Sequence, residues 1–238
     1  MHLLATDDRT VLVSASNRDG SALFRVKLSD GSLIASLPLP FRGARITRLG
    51  IGFDWALVTS ADTRQMALVD LQGMSLKAIL EPEGTLTNPI VAVDVPSNLV
   101  VVSHYSCLRA YHLQALREGD LAVAWSTREV PGVVQRAEWV NVRSTSTLVV
   151  CTAGTAAFPK PNGLYLLTSN GEVRQKYVLQ TEERTQFGQP GFRALLVMDM
   201  DGDGNDEVVA VADDSSMYLW RPDWAAQTSG HDLTSPSR

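Results

Sequence analysis

A repeat of short valine-rich runs is the feature of this sequence that most restricts its fold. The runs share an apolar, β-branched centre and end in small or polar residues; they are TVLVSAS from Thr10, WALVTSA from Trp55, NLVVVSH from Asn98, TLVVCTA from Thr147 and EVVAVAD from Glu207. Their starts lie roughly 43 to 60 residues apart. Runs of this composition predict strands that are buried on both faces.

Each valine-rich run belongs to a unit of four predicted strands. A second apolar run follows after a short gap in every unit, beginning at Ala22, Met66, Leu108, Leu164 and Met217. In four units a glycine turn and a third run come next, with the glycines at Gly31, Gly73, Gly119 and Gly171. Another strand candidate precedes four of the valine-rich runs, beginning at Arg45, Ile90, Arg136 and Arg193. Such gaps suit antiparallel hairpins, and glycine supplies the positive φ of a tight reversal.

Four-stranded units at this spacing are typical of a β-propeller, whereas the strands of a sandwich would not keep the same order of four. We therefore predict an all-β propeller of about five four-stranded antiparallel blades, either complete or a fragment of a larger propeller. The blades are expected near residues 1–40, 41–84, 85–128, 129–180 and 185–224, and a polar tail at 225–238. The blade with Gly171 and the run EGDLAVAW, which ends at Trp125, loosely resemble quinoprotein-type and outer-membrane-assembly propellers.

The fifth unit has no fourth strand in the sequence, because the residues after Trp224 are polar and lack a β pattern. The segment HLLA near the amino terminus could fill that place, and the first blade would then lack its own inner strand. Otherwise one blade has three strands, or the chain is part of a longer protein. An exposed edge at this place would favour aggregation.

Composition narrows the possible functions. The net charge of −5 gives no basic face for nucleic acid. The apolar runs are far shorter than the roughly 20 residues that span a bilayer, and the amino terminus does not resemble a signal peptide. Two cysteines, Cys107 and Cys151, are too few for a disulfide framework and are expected to be buried free thiols.

No catalytic motif is present in the sequence. The histidines are scattered, at His2, His104, His112 and His231. A hairpin could bring His104 and His112 close together, but we expect any such pairing to be accidental. The tryptophans are expected to pack between blades; Trp55, Trp220 and Trp224 are weaker candidates for lining a ligand surface. The loop AGTAAFPKPNGL from Ala153 is the first candidate for a contact surface, since inserted loops often carry recognition.

An acidic loop, DMDGDGNDE at residues 199–207, is the one motif with clear chemistry. Alternate residues of a tight loop converge, and three converging carboxylates repel one another unless a cation lies between them. Oxygen ligands in a flexible loop suit Ca²⁺ better than Mg²⁺. The expected ligands are the side chains of Asp199, Asp201 and Asp203, the carbonyl of Asn205 and the carboxylate of Glu207. Asp206 is expected to face solvent.

The acidic loop has alternative interpretations besides a β-hairpin calcium site. An EF-hand needs a glutamate at the twelfth loop position, which here is Ala210, and strands rather than helices are predicted on both sides. The loop could instead be an acidic turn without metal, because Asp and Gly are common turn residues. A bound metal could also serve only to brace the fifth blade.

The stretch ALLVMDMDGDGNDEVVAVADD resembles the calcium loop of FG-GAP and VCBS repeats, which occur in integrin α-subunit propellers and in many bacterial surface proteins. In that family the first, third, fifth, seventh and ninth loop positions bind Ca²⁺. They correspond here to Asp199, Asp201, Asp203, Asn205 and Glu207. The resemblance covers about 35 residues, and Glu207 departs from it by replacing the usual aspartate.

The sequence thus predicts a non-enzymatic, calcium-binding propeller that binds a protein or glycan partner. The family resemblance and the availability of calcium favour an extracellular, cell-surface or periplasmic location. One alternative is a propeller enzyme of the lyase or lactonase type, whose acidic residues would cluster only in three dimensions. Another is an architectural module of a larger cell-surface or secreted protein. Propellers serve all of these roles, so the fold does not decide among them.

Overall fold

The computed structural model of the chain describes residues 2–5, 9–17, 20–50, 55–82, 89–104, 107–130, 132–142, 145–153, 163–178, 191–212 and 216–221. These residues form five antiparallel sheets in chain order. The first sheet contains β1 (His2–Ala5), β2 (Thr10–Ser16), β3 (Ser21–Lys27) and β4 (Leu33–Leu39). The second contains β5 (Gly43–Arg48), β6 (Trp55–Ser60), β7 (Met66–Asp70) and β8 (Ser75–Leu80).

The other three sheets repeat the pattern, and the last is shorter. The third sheet contains β9 (Val91–Asp94), β10 (Leu99–Ser103), β11 (Leu108–His112) and β12 (Val123–Thr127). The fourth contains β13 (Val133–Val142), β14 (Thr145–Ala153), β15 (Gly163–Leu167) and β16 (Val173–Val178). The fifth contains β17 (Phe192–Met198), β18 (Glu207–Ala212) and β19 (Met217–Trp220). Five consecutive antiparallel sheets confirm the predicted repeat.

The amino-terminal segment HLLA completes its own sheet. It forms β1 and pairs with β2 in a register that runs from His2 opposite Ser14 to Ala5 opposite Val11. The hypothesis that this segment supplies the fourth strand of the fifth sheet is therefore wrong. Among the described residues, the fifth sheet has three strands.

The valine-rich runs form interior strands, as predicted. Every residue of β10 is buried, and so is every residue of β15, which follows the run in β14. The first and fifth runs differ, because β2 and the later part of β18 alternate between buried and half-buried residues. Only one face of β2 contributes to the buried core, through Leu12, whereas Val11 and Val13 on the opposite face are half-buried.

The chain divides into two compact units, residues 1–105 with 111–123 and residues 106–110 with 124–238. Within the first unit, one apolar cluster joins the first and second sheets through residues such as Leu23 and Val58. Another cluster in this unit packs Leu57 and Leu68 against Val100 and Tyr111. Within the second unit, the fourth and fifth sheets share a cluster whose buried members are Val140, Val142, Val149, Cys151, Leu164, Leu166, Phe192, Val208, Ala210 and Ala212.

The predicted glycine turns are present, with one correction. Gly31, Gly119 and Gly171 have φ angles of 70°, 86° and 87°. In the second sheet, however, the left-handed residue is Met74, with φ 44°, and not Gly73. Asp70 Oδ1 accepts hydrogen bonds from the backbone N–H groups of residues 72 and 73, at 2.9 and 3.3 Å, so the reversal falls one residue later.

The third sheet contains a short helix that the sequence analysis did not predict. Helix α1 (Leu113–Arg117) lies between β11 and β12 and ends at the Gly119 turn. Its sequence, LQALR, consists of good helix formers. The side chain of Asn98 accepts a hydrogen bond from the Gln114 N–H at 3.0 Å and so satisfies one donor of the first turn.

Candidate metal loop and exposed sheet face

The acidic loop joins β17 to β18 in the second unit, and Asp199 organises its turn. The Asp199 carboxylate accepts hydrogen bonds from the backbone N–H groups of Gly202, at 2.7 Å, and Gly204, at 3.0 Å. Both glycines have positive φ, at 77° and 86°, in open space. The alternating Asp and Gly residues therefore let the backbone curl around one carboxylate.

Three of the five predicted ligand residues converge. Ligand oxygens of Asp199, Asp201 and Glu207 all lie within 4.8 Å of one another. Glu207 is only 4% exposed, and its Oε2 accepts a hydrogen bond from the Met200 N–H at 2.8 Å. A buried carboxylate beside two exposed ones concentrates negative charge at the base of the loop, where a hard cation would gain the most.

Asp203, a fourth predicted ligand, is not a member of this group. Asp203 Oδ1 accepts hydrogen bonds from the Asn205 backbone N–H, at 2.8 Å, and from the Asn205 side-chain Nδ2, at 3.0 Å. These two bonds hold the outer part of the loop together. The predicted role of the Asn205 carbonyl stays a prediction.

Arg221, which the sequence analysis did not single out, supplies a cation to the cluster. Its Nη2 lies 3.1 Å from Asp201 Oδ2, and its Nε lies 3.6 Å from Glu207 Oε1. The signal that could have identified it is the strand register. Val208 pairs with Trp220, the last residue of β19, so the residue that follows this strand falls beside Glu207.

Asp206 connects the loop to the neighbouring sheet through hydrogen bonds. Its Oδ2 accepts a hydrogen bond from the Asn141 N–H at 2.6 Å, and its own N–H donates to the Asn141 carbonyl at 2.8 Å. Asp206 was expected to face solvent; it is half-buried, and its carboxylate contacts the neighbouring sheet. The reciprocal pair links the loop of the fifth sheet to β13 of the fourth.

Replacement of Asp206 by alanine is expected to lower the free energy of unfolding by about 1 kcal/mol, because the side-chain bond to Asn141 is lost while the backbone bond remains. Urea unfolding of this variant measures the loss. Asp203→Ala is the matched control, since the Asp203 carboxylate bonds only within its own loop. Equal losses in the two calcium-free variants would contradict a link between sheets.

The fifth sheet also exposes an apolar face. Leu196 of β17 pairs with Val209 of β18, which pairs with Leu219 of β19, so the three side chains share one face. Leu196, Met198, Met217 and Leu219 are 55%, 45%, 72% and 51% exposed. The opposite face of the same sheet contributes to the buried cluster that it shares with the fourth sheet.

The remaining sequence candidates have ordinary structural roles where they are described. His104 is buried, and its Nε2 lies 3.3 Å from the hydroxyl oxygen of Tyr111, while His112 is exposed at the end of β11. Trp55 and Trp220 are half-buried, each packed against a cluster between sheets. Trp224 and the loop at residues 154–162 lie outside the described residues, so the predictions made for them stay predictions.

Both cysteines are free thiols; Cys151 is buried and Cys107 half-buried. Burial raises the pKa of Cys151 to about 12. Because the thiolate is the reactive form, we expect a disulfide reagent at pH 8 to modify Cys107 in the native protein and Cys151 only after unfolding. Absorbance of the released thiol measures this, and Cys107→Ser should remove the native signal. Modification of native Cys151 at the rate of a peptide thiol would contradict the expectation.

No family model matches the chain, and no curated protein matches it. The FG-GAP and VCBS resemblance therefore rests on the loop residues themselves. Among the described residues, no helix combines the length and apolar character needed to cross a membrane.

Solved structures do match. The chain is similar to BBS1N in complex with ARL6DN, soaked with lead, with a TM-score of 0.62 and 13% sequence identity. This match covers 92% of the present chain and 62% of that chain. The same complex soaked with mercury matches with a TM-score of 0.58 and 14% identity over 95% and 70% of the two chains. Identity this low shows the fold alone, and that fold is a β-propeller built from antiparallel sheets.

Proposed function

We propose that this chain is a non-enzymatic β-propeller module that binds a partner protein through the exposed face of its fifth sheet. The observation that carries the proposal is the exposed apolar face on which Leu196, Val209 and Leu219 lie in one row across the three strands, with Met198 and Met217 exposed on the same face. Scattered exposed apolar side chains are common, but a contiguous patch of them favours an interaction site. Covering such a patch releases water and stabilises a complex by about 25 cal/mol per Å² of apolar area.

The chemistry of this face favours a protein over a glycan. Its exposed leucine and methionine side chains offer no strong hydrogen-bond partners for sugar hydroxyls. The charged pair of Glu207 and Arg221 lies at one end of the face. Burying hydroxyls without such partners is costly. The similar BBS1N structures are complexes with a protein, ARL6DN, and this supports the same kind of role here.

The test compares two charge insertions at equally exposed leucines. Leu196→Asp places a charge on the proposed face, and Leu33→Asp places one on β4 of the first sheet, where the side chain is similarly exposed. Tagged variants with unchanged unfolding temperatures are expressed in the native host, and co-purifying proteins are quantified. We expect at least one protein to fall about tenfold or more with Leu196→Asp alone, which corresponds to about 1.4 kcal/mol.

Two results would contradict this function. One is the same co-purifying proteins in the same amounts with the unmodified chain and both variants. The other is turnover of a sugar or lactone substrate by the purified chain, which would instead favour the propeller enzymes considered from the sequence.

As part of the same proposal, the acidic loop holds a structural Ca²⁺. The donor set fits a hard cation, because three carboxylates converge and Glu207 at its base is buried. Asp199, Asp201 and Glu207 would hold the ion and, after a change in the outer loop, Asp203 and Asn205 would join them. The ion would neutralise the repulsion between the carboxylates. Since Asp206 ties the loop to β13, the ion would also brace the fourth sheet against the fifth.

The proposed calcium site also bears on where the protein works. Sites of modest affinity fill where calcium is abundant, which favours an extracellular, cell-surface or periplasmic setting. Thermal unfolding with calcium and with chelator tests the site.

A further inference from the structure

Strand β19 has the sequence of an interior strand although, among the residues that the structure describes, it lies at the edge of its sheet. Its residues, MYLW, include neither a charge nor a proline. In three of the other four sheets, the last strand contains a proline or a charged residue: Pro38 in β4, Lys77 in β8, and Arg174 with Lys176 in β16. Charged residues and prolines are the usual means by which natural edge strands avoid pairing with other chains.

The burial pattern of β19 shows what an added strand would meet. The third strands of the second and fourth sheets, β7 and β15, are almost completely buried, whereas β3 in the first sheet is mostly half-buried. Strand β19 holds the corresponding third position in the fifth sheet, and its residues alternate between exposed and half-buried. A strand added at this edge would therefore extend one exposed face and one half-buried face.

The backbone of β19 offers hydrogen-bonding groups at this edge. Ser216 accepts a backbone bond from Ala212, and the register places Ala210 opposite Tyr218 and Val208 opposite Trp220. Backbone groups alternate in an antiparallel pair, so residues 216, 218 and 220 direct theirs toward β18. The N–H and carbonyl groups of Met217 and Leu219 consequently point outward, away from the sheet.

We propose that this edge receives an extended segment of the partner protein, which adds as the fourth strand of the fifth sheet. The inference names the form of the partner in the function proposed above. The other four sheets each have a strand at this position, so the geometry of the site is that of a strand. Strand addition supplies main-chain hydrogen bonds for affinity and side-chain contacts on both faces for specificity.

The two faces define the chemistry of the incoming segment. One side of it would lie next to Tyr218, whose ring centroid is 5.8 Å from that of Tyr177 and 5.6 Å from that of Phe192. The other side would lie next to Met217 and Leu219 on the exposed face. The segment should therefore carry apolar residues toward both faces over about four to six positions, the usual length of a strand. Residues 225–238 of this chain, AAQTSGHDLTSPSR, have no such run.

The experiment supplies a known fourth strand at high local concentration. The sequence of residues 73–82, GMSLKAILEP, which contains β8, is appended after Arg238 of the full chain, with residues 222–238 as the tether. A tethered strand reaches an effective concentration of about millimolar, so weak pairing is detected. We expect the unfolding temperature to rise by about 5 °C. We also expect the exchange of the Met217 and Leu219 amide protons, followed by NMR, to slow about tenfold or more.

Leu219→Pro is the blocking variant. It removes an N–H that points outward and does not bond to β18, so the three-stranded sheet should still form. Because this N–H would bond to the added strand, the appended strand should no longer raise the unfolding temperature. Ala78→Pro within the appended copy is the matched control on the strand itself, and it should also abolish the rise. Leu196→Asp changes a residue of β17, two strands away from the edge of β19. The appended strand should therefore still raise the unfolding temperature of this variant.

Three results would overturn the inference. The first is slow exchange of the Met217 and Leu219 amide protons in the original chain, which would show that its own residues already fill the edge. The second is no rise with the tethered strand, or a rise that Leu219→Pro leaves unchanged. The third is a dimer of the original chain that Leu219→Pro abolishes, which would make a second copy the occupant. The two proposals can also fail separately. If the tethered strand raises the unfolding temperature but Leu196→Asp leaves the co-purifying proteins unchanged, the proposed binding face is wrong and the inference about the edge of β19 stands.

Discussion

Replacement of Gly171 by alanine is expected to lower the free energy of unfolding by about 3 kcal/mol, from backbone strain and from overpacking together. Gly171 has φ 87°, which L side chains rarely adopt. A Cβ at this position would lie 2.5 Å from Cε3 of Trp125. The indole cannot withdraw freely, because its Nε1 donates a hydrogen bond to the Ser169 carbonyl in the same turn, at 2.7 Å. Urea unfolding monitored by circular dichroism measures the loss.

Gly31→Ala separates the two causes. Gly31 also has a positive φ, 70°, but a Cβ there would meet nothing within 4 Å. This variant should lose only about 1 kcal/mol, from the backbone alone. In a Trp125→Leu background the loss from Gly171→Ala should approach that of Gly31→Ala, since the ring is gone. If Gly171→Ala and Gly31→Ala lower the free energy of unfolding equally in the original chain, then overpacking against Trp125 does not contribute to the loss.

The repeat was predictable because its signals are local. Valine-rich runs such as those of β10 and β14, and glycines with positive φ such as Gly31 and Gly119, determine where strands form and reverse without reference to distant residues. The prediction at Gly73 was wrong for a local reason as well. Hydrogen bonds to the Asp70 side chain set the first residues of that turn, and a pattern of glycines alone does not contain this information.

The candidate site was predictable only in part because its completion depends on contacts between strands. The spacing of Asp199 and Asp201 indicates their convergence, since alternate residues of one loop are involved. Arg221 and Asn141 come from other strands, and each reaches the loop only once the sheets have formed. The edge at β19 is an intermediate case. The sequence shows no β pattern after Trp224, but the orientation of the backbone groups of β19 required the register.

Millimolar calcium is expected to raise the unfolding temperature of the original chain by about 5 to 10 °C over excess chelator, if the calcium concentration exceeds its dissociation constant about a hundredfold. Glu207→Gln should abolish this rise, because Glu207 is the buried member of the converging carboxylates. Asp203→Asn is the comparison variant and should keep a larger part of the rise than Glu207→Gln, because Glu207 already belongs to the converging group whereas Asp203 would join it only after a change in the outer loop.

Arg221→Gln decides which cation the loop uses. In chelator this variant should unfold at a lower temperature than the original chain, because Asp201 and Glu207 lose their positive neighbour. In calcium the difference should disappear, and calcium should bind about threefold to fivefold more tightly because the competing guanidinium is gone. If calcium instead leaves both chains unchanged while Arg221→Gln is destabilised in either condition, Arg221 is the resident cation. The loop would then be an arginine-braced hairpin, and the calcium proposal would be wrong.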